Sequence, residues 1–208
     1  MSDLNFIKLN NVEEFCIDNK SVLFIIDMNN GFAKSGTLSS KRVEKLIPSI
    51  VEDVEIFNSF NNPIIAFTDS HKKECLEFKS YPIHCLENSY ESEIVDEIKQ
   101  FNDIMIIKKS STNAFLEEET KKYIDSFVRD GYKNFVLCGC ITEVCVKQFA
   151  QTLKAYLNVI NKDINVIVPI NSVDTYDSPE HNADIINLFS FYEMNSCGIK
   201  IVKNIIKK

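Results

Sequence analysis

The sequence predicts an α/β fold, a three-layer αβα arrangement around a doubly wound, mostly parallel β-sheet of about six strands. Apolar runs of strand length alternate along the chain with stretches that carry apolar residues at helical spacing, and neither an internal repeat nor a low-complexity tract is found. Alternation of this kind builds a parallel sheet, because right-handed crossovers place helices on both of its faces. The 208 residues, 45% of them hydrophobic, suffice to bury a hydrophobic core that does not need disulfides or structural metal ions for stability.

Each predicted strand is a short run rich in Val, Ile, Leu or Phe and bounded by polar or turn-forming residues. In chain order the strands are residues 22–26, 63–68, 104–107, 134–139, 165–168 and 200–202. The predicted helices are residues 41–60, 91–102, 116–131, 142–157 and 180–197, where apolar residues recur at helical spacing. Residues 1–20 are predicted to add a strand or helix at the edge, and residues 21–208 to form a single domain.

Composition limits the classes of partner. The formal charge is −7, and the sequence has no cluster of Lys or Arg of the kind that phosphate binding requires apart from the short end Lys207–Lys208, so we expect no nucleic-acid partner. Residues 1–20 lack a basic region followed by an apolar core, and no stretch approaches the ~20 apolar residues of a membrane span. Seven cysteines, an odd number, predict reduced thiols in a cytoplasmic protein. A homo-oligomer is compatible with this composition.

Three predicted strands lead to residues with reactive side chains. Asp27 follows the first strand, Lys109 follows the third, and Cys145 lies near the start of the helix after the fourth. Each has an ordinary structural explanation, since an aspartate at a strand end often forms a turn and a lysine there is usually solvated. Because the carboxyl ends of parallel strands converge on one edge, their coincidence favours a carboxylate, an ammonium and a thiol in one crevice.

The segment CGCITEVCV, residues 138–146, carries the strongest chemical signal. A cysteine in the first turn of a helix lies near unpaired backbone amides, which favour the thiolate and can also hold a developing oxyanion. Acyl transfer further requires a base, for which Asp27 is the candidate, and Lys109 would keep Asp27 ionised. Cys138, inside an apolar strand, is instead predicted to be a buried structural thiol.

A second group of polar residues lies between the second and third strands. Asp69, His71, Glu77 and His84 supply carboxylate and imidazole ligands that suit a divalent metal, zinc first, with iron or manganese as alternatives. Asp69 and His71, two residues apart, point the same way if the backbone is extended. Three alternatives stay open: Glu74 in place of Glu77, a closed structural zinc site, and a pair of surface histidines in a polar loop.

The chain resembles the isochorismatase-like cysteine hydrolases, and among them the nicotinamidases, from Ser21 to Lys203. The resemblance rests on IIDMNNGF, IIKKSSTNAF and CGCITEVCV, on the segment around Asp69 and His84, and on closing segments that include residues 171–181. It implies the corresponding fold, Asp27 as base, Lys109 as its partner and Cys145 as nucleophile. Asp69, His71, Glu77 and His84 fall on metal positions of nicotinamidases.

The same resemblance implies further roles. Phe32 and Tyr81 would sandwich a pyridine ring whose nitrogen the metal holds, and a cis peptide bond between Cys140 and Ile141 would aim the amides of Ile141 and Cys145 at the oxyanion. The implied activity is hydrolysis of a small carboxamide, nicotinamide to nicotinate and ammonia, through a cysteine thioester. Two alternatives remain: a hydrolase of another amide or carbamoyl compound, and a non-catalytic binding module on the same fold.

The chain also departs from the family pattern. Asn29 replaces the common glutamine after the first aspartate, and Glu143 replaces the aspartate that precedes the nucleophile. Tryptophan is absent, so Tyr81 stands where many relatives have one. These departures leave the proposed triad and metal ligands intact, and they bear on the choice of substrate.

Overall fold

Six parallel strands form the central sheet of the computed structural model, which describes residues 12–207. The strands are β2 (Ser21–Ile26), β3 (Ile64–Asp69), β4 (Ile104–Lys109), β5 (Asn134–Gly139), β6 (Asn165–Pro169) and β7 (Lys200–Val202). Their spatial order is β4-β3-β2-β5-β6-β7, so the chain winds outward in both directions from β2. The predicted doubly wound parallel sheet of six strands is confirmed.

Helices cover both faces of the sheet. The α-helices are α1 (Asn30–Ala33), α2 (Lys41–Glu44), α3 (Ile47–Asn58), α4 (Asp96–Lys99), α5 (Glu118–Arg129), α6 (Lys147–Val159) and α7 (Ala183–Ser196). Alternate residues of β2 point into two separate cores: Val22, Phe24 and Ile26 pack in one, and Leu23 and Ile25 in the other. All six residues of β2 are buried, as a central strand of a three-layer fold requires.

Two predicted helices differ from the observed ones. The stretch 91–102 contains one short α-helix, α4, and the end of a 3-10 turn, Tyr90–Ser92. Between them the backbone is extended: Ile94 forms a β-bridge with Asn29, and the Val95 amide donates to the Met28 carbonyl. The stretch 41–60 is divided into α2 and α3, and Pro48 lies in the first turn of α3, where its missing N–H costs no helical hydrogen bond. Tertiary pairing and proline thus override apolar spacing.

The amino-terminal region contributes a strand outside the main sheet. Strand β1 (Phe15–Ile17) pairs in parallel with β8 (Ile205–Lys207), and the two form a separate small sheet. Residues 1–11 of the predicted edge extension lie outside the described residues. No helix within residues 12–207 is long and apolar enough to cross a membrane.

Asp53 on α3 provides a test of the packing. Its side chain is 2% exposed, and burial raises its pKa to about 7, with Ser172 opposing part of the shift. The folded state therefore retains a proton that the unfolded chain loses near pH 3.8. We expect the free energy of unfolding to fall by up to about 4 kcal/mol as the pH rises through this interval.

The substitution Asp53→Asn should flatten this pH dependence, because asparagine stays neutral. Urea unfolding at pH 5 and at pH 8 checks it: the gain in stability of the variant over the wild type should be larger at pH 8 than at pH 5, because the wild type loses more of its stability at the higher pH. Asp103→Asn, which removes an exposed carboxylate, is the control. An unchanged pH dependence in Asp53→Asn would contradict the assignment.

Candidate active site

The reactive side chains meet at the carboxyl-terminal edge of the sheet. Asp27 directly follows β2, Asp69 is the last residue of β3, and Lys109 is the last residue of β4. Asp69 lies opposite Lys109 in the β3–β4 register. Asp27 has a φ of 52°, so the chain turns sharply where β2 ends. Three adjacent strands thereby deliver two carboxylates and one ammonium to a single region.

Lys109 is the centre of this group. Its Nζ lies 2.9 Å from Asp27 Oδ2 and 2.8 Å from Asp69 Oδ1, donates to the Ser111 carbonyl at 2.9 Å, and lies 3.9 Å from Cys145 Sγ. Burial by itself would lower the pKa of Lys109, but Asp27, Cys145 and Asp69 together raise it well above its usual value. The ammonium therefore stays charged, and it links the aspartate pair to the thiol.

The protonation states of Asp27 and Cys145 differ from those expected of a preformed thiolate. Burial raises the pKa of Asp27 to about 6, while Lys109 opposes the shift and Asp69 adds to it. Burial also raises the pKa of the Cys145 thiol well above its usual value; Lys109 opposes this, and Asp27 contributes to it. Near neutral pH the carboxyl group is ionised and the thiol is protonated. The thiol accordingly needs a base, which is the role that the sequence analysis assigns to Asp27.

The turn that carries Cys145 is fixed by its backbone. Gly139 ends β5 with a φ of 113°, and a Cβ there would lie 2.0 Å from the Ile26 carbonyl oxygen, so only glycine fits. One residue further on, the peptide bond between Cys140 and Ile141 is cis. A π-helical turn, Thr142–Val146, follows and continues into α6, so Cys145 precedes the regular α-helix. The Cys140 thiol donates to the Asp27 carbonyl at 3.0 Å, which joins this turn to the end of β2.

A group of potential metal ligands adjoins Lys109. The ligand atoms of Asp69, His71, Glu77 and His84 all lie within 4.8 Å of one another. Asp69 Oδ2 lies 2.8 Å from His71 Nε2 and 3.0 Å from His84 Nε2. Burial opposes ionisation of Asp69, but Lys109 and the two imidazoles hold its pKa below its usual range. Of the two glutamates that the sequence leaves open, Glu77 joins the group, whereas Glu74 is exposed.

The surroundings of both imidazoles fit a metal site. His84 Nδ1 lies 2.7 Å from the Pro82 carbonyl oxygen, an acceptor that places the ring proton on Nδ1 and leaves the Nε2 lone pair for a metal. His71 Nδ1 lies 3.3 Å from Cys75 Sγ, and its Nε2 likewise faces Asp69. Two buried imidazoles with their outer nitrogens engaged, beside two carboxylates, form a donor set suited to a borderline divalent ion.

Asn29 and Cys75 take part in the site, although the sequence did not indicate this. Asn29 is fully buried; its Oδ1 accepts from the Asp69 amide at 3.1 Å, and its Nδ2 donates to the carbonyls of Asp69 and Ser92, each at 3.0 Å. The amide thus continues the pairing of β2 with β3 beyond the strand end and fixes the Asp69 backbone. The available signal was the pair Asn29–Asn30, which lies three residues beyond the largely apolar strand β2.

A pocket of about 930 Å³ opens above these residues. Of the eleven predicted site residues, all except Lys109 and His71 line its wall. The nine lining residues are Asp27, Phe32, Asp69, Glu77, Tyr81, His84, Cys140, Ile141 and Cys145. The rings of Phe32 and Tyr81 have their centroids 5.7 Å and 6.4 Å from that of His84. Lys109 and His71 are 2% and 0% exposed, and they lie beneath the pocket surface. Lys109 is therefore placed to act through its charge on neighbouring groups.

Comparison with known proteins identifies the family. A sequence profile of the isochorismatase domain matches residues 21–197, which is most of the chain. The chain belongs to the isochorismatase domain family. The predicted family resemblance is thereby confirmed, and this isochorismatase-like hydrolase has the three-layer fold that the alternation of strands and helices indicated.

Several relatives of this isochorismatase-like hydrolase are amide hydrolases. Nicotinamidase 1 of Arabidopsis thaliana is 27% identical over 181 residues, which are 80% of this chain and 74% of that protein. The pyrazinamidase of Pyrococcus horikoshii, solved in complex with zinc, is 26% identical with a TM-score of 0.72 and covers 88% of this chain and 99% of its own. Yeast nicotinamidase Pnc1p has a TM-score of 0.74 at 19% identity, with 88% and 100% covered, which is a likeness of fold.

Proposed function

We propose that this protein hydrolyses a small carboxamide to the carboxylic acid and ammonia through a cysteine thioester. Among such amides, we propose nicotinamide as the substrate. One observation carries the proposal: Lys109 Nζ lies within 2.9 Å of Asp27 and of Asp69, and 3.9 Å from the Cys145 sulfur. A base, a thiol and the metal-ligand group thus share one buried cation at the floor of a single pocket. The identity to a plant nicotinamidase favours nicotinamide among such amides.

Acylation uses the charge arrangement directly. Asp27, ionised above about pH 6, removes the proton of the Cys145 thiol as the sulfur attacks the amide carbon. The charge that develops on the carbonyl oxygen is received by the backbone amides of Ile141 and Cys145, and the Lys109 ammonium stabilises it from below the pocket surface. Asp27 then returns the proton to the departing ammonia, so the C–N bond breaks and a thioester remains.

Deacylation uses the same groups a second time. Water attacks the thioester carbon while Asp27 accepts its proton, and the same amides hold the oxyanion. The proton returns to the Cys145 sulfur as the acid leaves. Lys109 keeps Asp27 available as a base in both half-reactions, because a buried carboxylate without a cationic neighbour would remain protonated at neutral pH.

The metal is proposed to be held by Asp69, His71, Glu77 and His84. Zinc is favoured by the imidazole and carboxylate donors, with iron or manganese as the alternatives. When bound, the ion supplies a Lewis-acid position for a ring nitrogen of the substrate. Phe32 and Tyr81, on the pocket wall near His84, would hold the ring between them and orient its carboxamide toward Cys145.

The proposed base predicts an acidic limb in the pH profile. Because Asp27 must be ionised in the free enzyme, kcat/KM for nicotinamide should fall about tenfold per pH unit below about pH 6. Steady-state rates between pH 5 and pH 8 check this. Metal content is measured at each pH, because loss of the ion would also lower the rate. A flat profile at constant metal content would rule out Asp27 as the titrating base.

One experiment tests the function as a whole. Purified protein is analysed for transition metals and then assayed for ammonia release from nicotinamide. Metal together with ammonia supports the proposal. Metal without ammonia release points to another amide or carbamoyl substrate or to a closed structural metal site. The absence of both metal and ammonia release leaves a non-catalytic binding module on this fold.

Location and domain organisation are part of the same proposal. The seven cysteines are free thiols, as a reducing compartment such as the cytoplasm would keep them. Residues 21–208 are proposed to act as one hydrolase domain, because strands from β2 to β7 join in one sheet and the proposed catalytic groups lie at or just after the ends of those strands. Residues 1–20 are proposed as its edge extension.

A further inference from the structure

Glu143 lies two residues before Cys145, yet the proposed reaction gives it no role. It belongs to the turn of residues 139–146, which we call the nucleophile turn, and it stands where the family pattern has the shorter aspartate. Its side chain is 17% exposed and lines the same pocket as Cys145. Because a largely buried carboxylate requires hydrogen-bond partners, the partners of Glu143 indicate what it does.

Both partners of this carboxylate come from residues 173–181, which we call the supporting segment. Glu143 Oε1 accepts from the buried Thr175 hydroxyl at 3.0 Å and lies 3.0 Å from His181 Nε2. The imidazole is itself held in place, since His181 Nδ1 lies 3.0 Å from the Tyr176 carbonyl oxygen and the two rings stack with centroids 4.0 Å apart. The carboxylate thus joins the nucleophile turn to two points of the supporting segment.

The backbone of the nucleophile turn is paired with the same segment. Gly139 forms a parallel β-bridge with Val173, and the Thr142 amide donates to the Asp174 carbonyl at 3.3 Å. The side-chain contact of Glu143 comes next along both pieces of chain. The contacts therefore run in order from the end of β5 to the residue two positions before the nucleophile.

Asp174 fixes the supporting segment to the rest of the fold. Its carboxylate lies 3.0 Å from Arg42 Nε on α2 and accepts from Asn187 Nδ2 on α7 at 2.7 Å. It also accepts from the Thr175 amide at 2.8 Å. Because two helices hold this segment, a turn attached to it has a defined position.

The oxygens of the Glu143 carboxylate are not available to a substrate. Oε1 already has two partners, and Oε2 is buried and finds no hydrogen-bond partner within residues 12–207. A direct role in substrate binding would require an oxygen that faces the pocket. The carboxylate therefore acts on the turn, and through the turn on the Cys145 sulfur and on the amides proposed to hold the oxyanion.

We propose that Glu143, through Thr175 and His181, is a positioning residue of the nucleophile turn. It keeps Cys145 where Asp27 can remove the thiol proton. This inference rests on the proposed function for the role of the cysteine. A misplacement of reacting groups by about 1 Å can cost ~100-fold in rate, so loss of these contacts should lower kcat. KM should change little, because the carboxylate does not contact the substrate.

The first test measures kcat and KM for nicotinamide on the metal-loaded enzyme. Glu143→Ala should lower kcat at least about tenfold and change KM by no more than about threefold. Thr175→Val removes only one hydroxyl contact and should lower kcat by a smaller factor. Glu143→Gln keeps an acceptor oxygen at the same length and should recover most of the wild-type kcat. Glu193→Ala, which removes an exposed carboxylate paired with Lys147, is the control and should leave both parameters unchanged.

Alkylation of Cys145 gives a second readout that needs no substrate. Burial raises the pKa of this thiol, and Asp27 contributes to the shift, so iodoacetamide should react slowly with the wild type. Release of the turn in Glu143→Ala should expose the sulfur, and mass spectrometry of the peptide that contains it should show alkylation at least about threefold faster. Zinc content should stay at the wild-type value, because Glu143 is outside the metal-ligand group.

The outcomes separate this inference from the proposed function. If Glu143→Ala and Thr175→Val keep the wild-type kcat, if the loss lies in KM alone, or if Glu143→Gln is as impaired as Glu143→Ala, the positioning role is wrong and the proposed function stands. If the wild type releases no ammonia, the proposed function fails, and the alkylation rates decide the inference: a faster rate in Glu143→Ala supports it, and an unchanged rate overturns it.

Discussion

Replacing Cys145 with alanine should abolish amide hydrolysis and leave the bound metal in place. The sulfur is the proposed atom that bonds to the substrate, and it lies 3.9 Å from the Lys109 Nζ. Loss of a covalent nucleophile typically lowers kcat by at least ~10⁴-fold, because binding and oxyanion stabilisation alone remain. Ammonia release under saturating nicotinamide measures the effect.

Further variants distinguish loss of the nucleophile from a general loss of structure. Cys145→Ser retains a smaller, less acidic nucleophile and should remain severely impaired. Cys197→Ala removes an exposed thiol and should behave as wild type. Metal analysis of Cys145→Ala should match that of the wild type, since the sulfur is outside the Asp69, His71, Glu77 and His84 group. Substantial turnover by Cys145→Ala would exclude the thioester mechanism.

Replacing His84 with alanine should remove most of the bound metal and weaken substrate binding. Its Nε2 lies 3.0 Å from Asp69 Oδ2, and its Nδ1 is held by the Pro82 carbonyl, so the ring is oriented toward the ligand group. Disturbing even the residues that orient ligands costs ~10–100-fold in metal affinity, and loss of a ligand should cost at least as much. A calorimetric titration of the metal-free protein with zinc measures the zinc affinity directly.

Two glutamates in the same loop supply the matched comparison. Glu77→Ala should also lower zinc affinity at least tenfold, since Glu77 Oε1 lies 4.0 Å from His71 Nε2 and belongs to the ligand group. Glu74→Ala removes an exposed carboxylate of the same loop and should retain wild-type affinity. Equal losses in both variants, or full zinc affinity in His84→Ala, would contradict the proposed ligand set.

Secondary structure could be predicted wherever local sequence and tertiary environment agree. The six strands followed from their apolar runs, and in the structure the runs of β2, β3 and β5 are buried throughout. The helix predicted at 91–102 was wrong over most of its length, because Ile94 pairs with Asn29 across the sheet edge. Apolar spacing cannot reveal such a pairing, since its partner is distant in sequence.

The charge states of the site residues could not be predicted from the sequence for a similar reason. A cysteine at a helix start indicates a thiolate, yet burial raises the pKa of Cys145, and the depth of a side chain is a property of the whole fold. The bridging position of Asp69, which contacts Lys109 through Oδ1 and both imidazoles through Oδ2, depends likewise on the register of β3 against β4.

The amino-acid sequence alone determined the order of strands and helices and which chemical groups follow the strands, since both are local properties of composition and spacing. Only the tertiary structure decided which of those groups touch, how deeply Lys109 is buried beneath the pocket, and which residues line that pocket. These depend on distances and desolvation between segments remote in the chain, which arise when the sheet assembles.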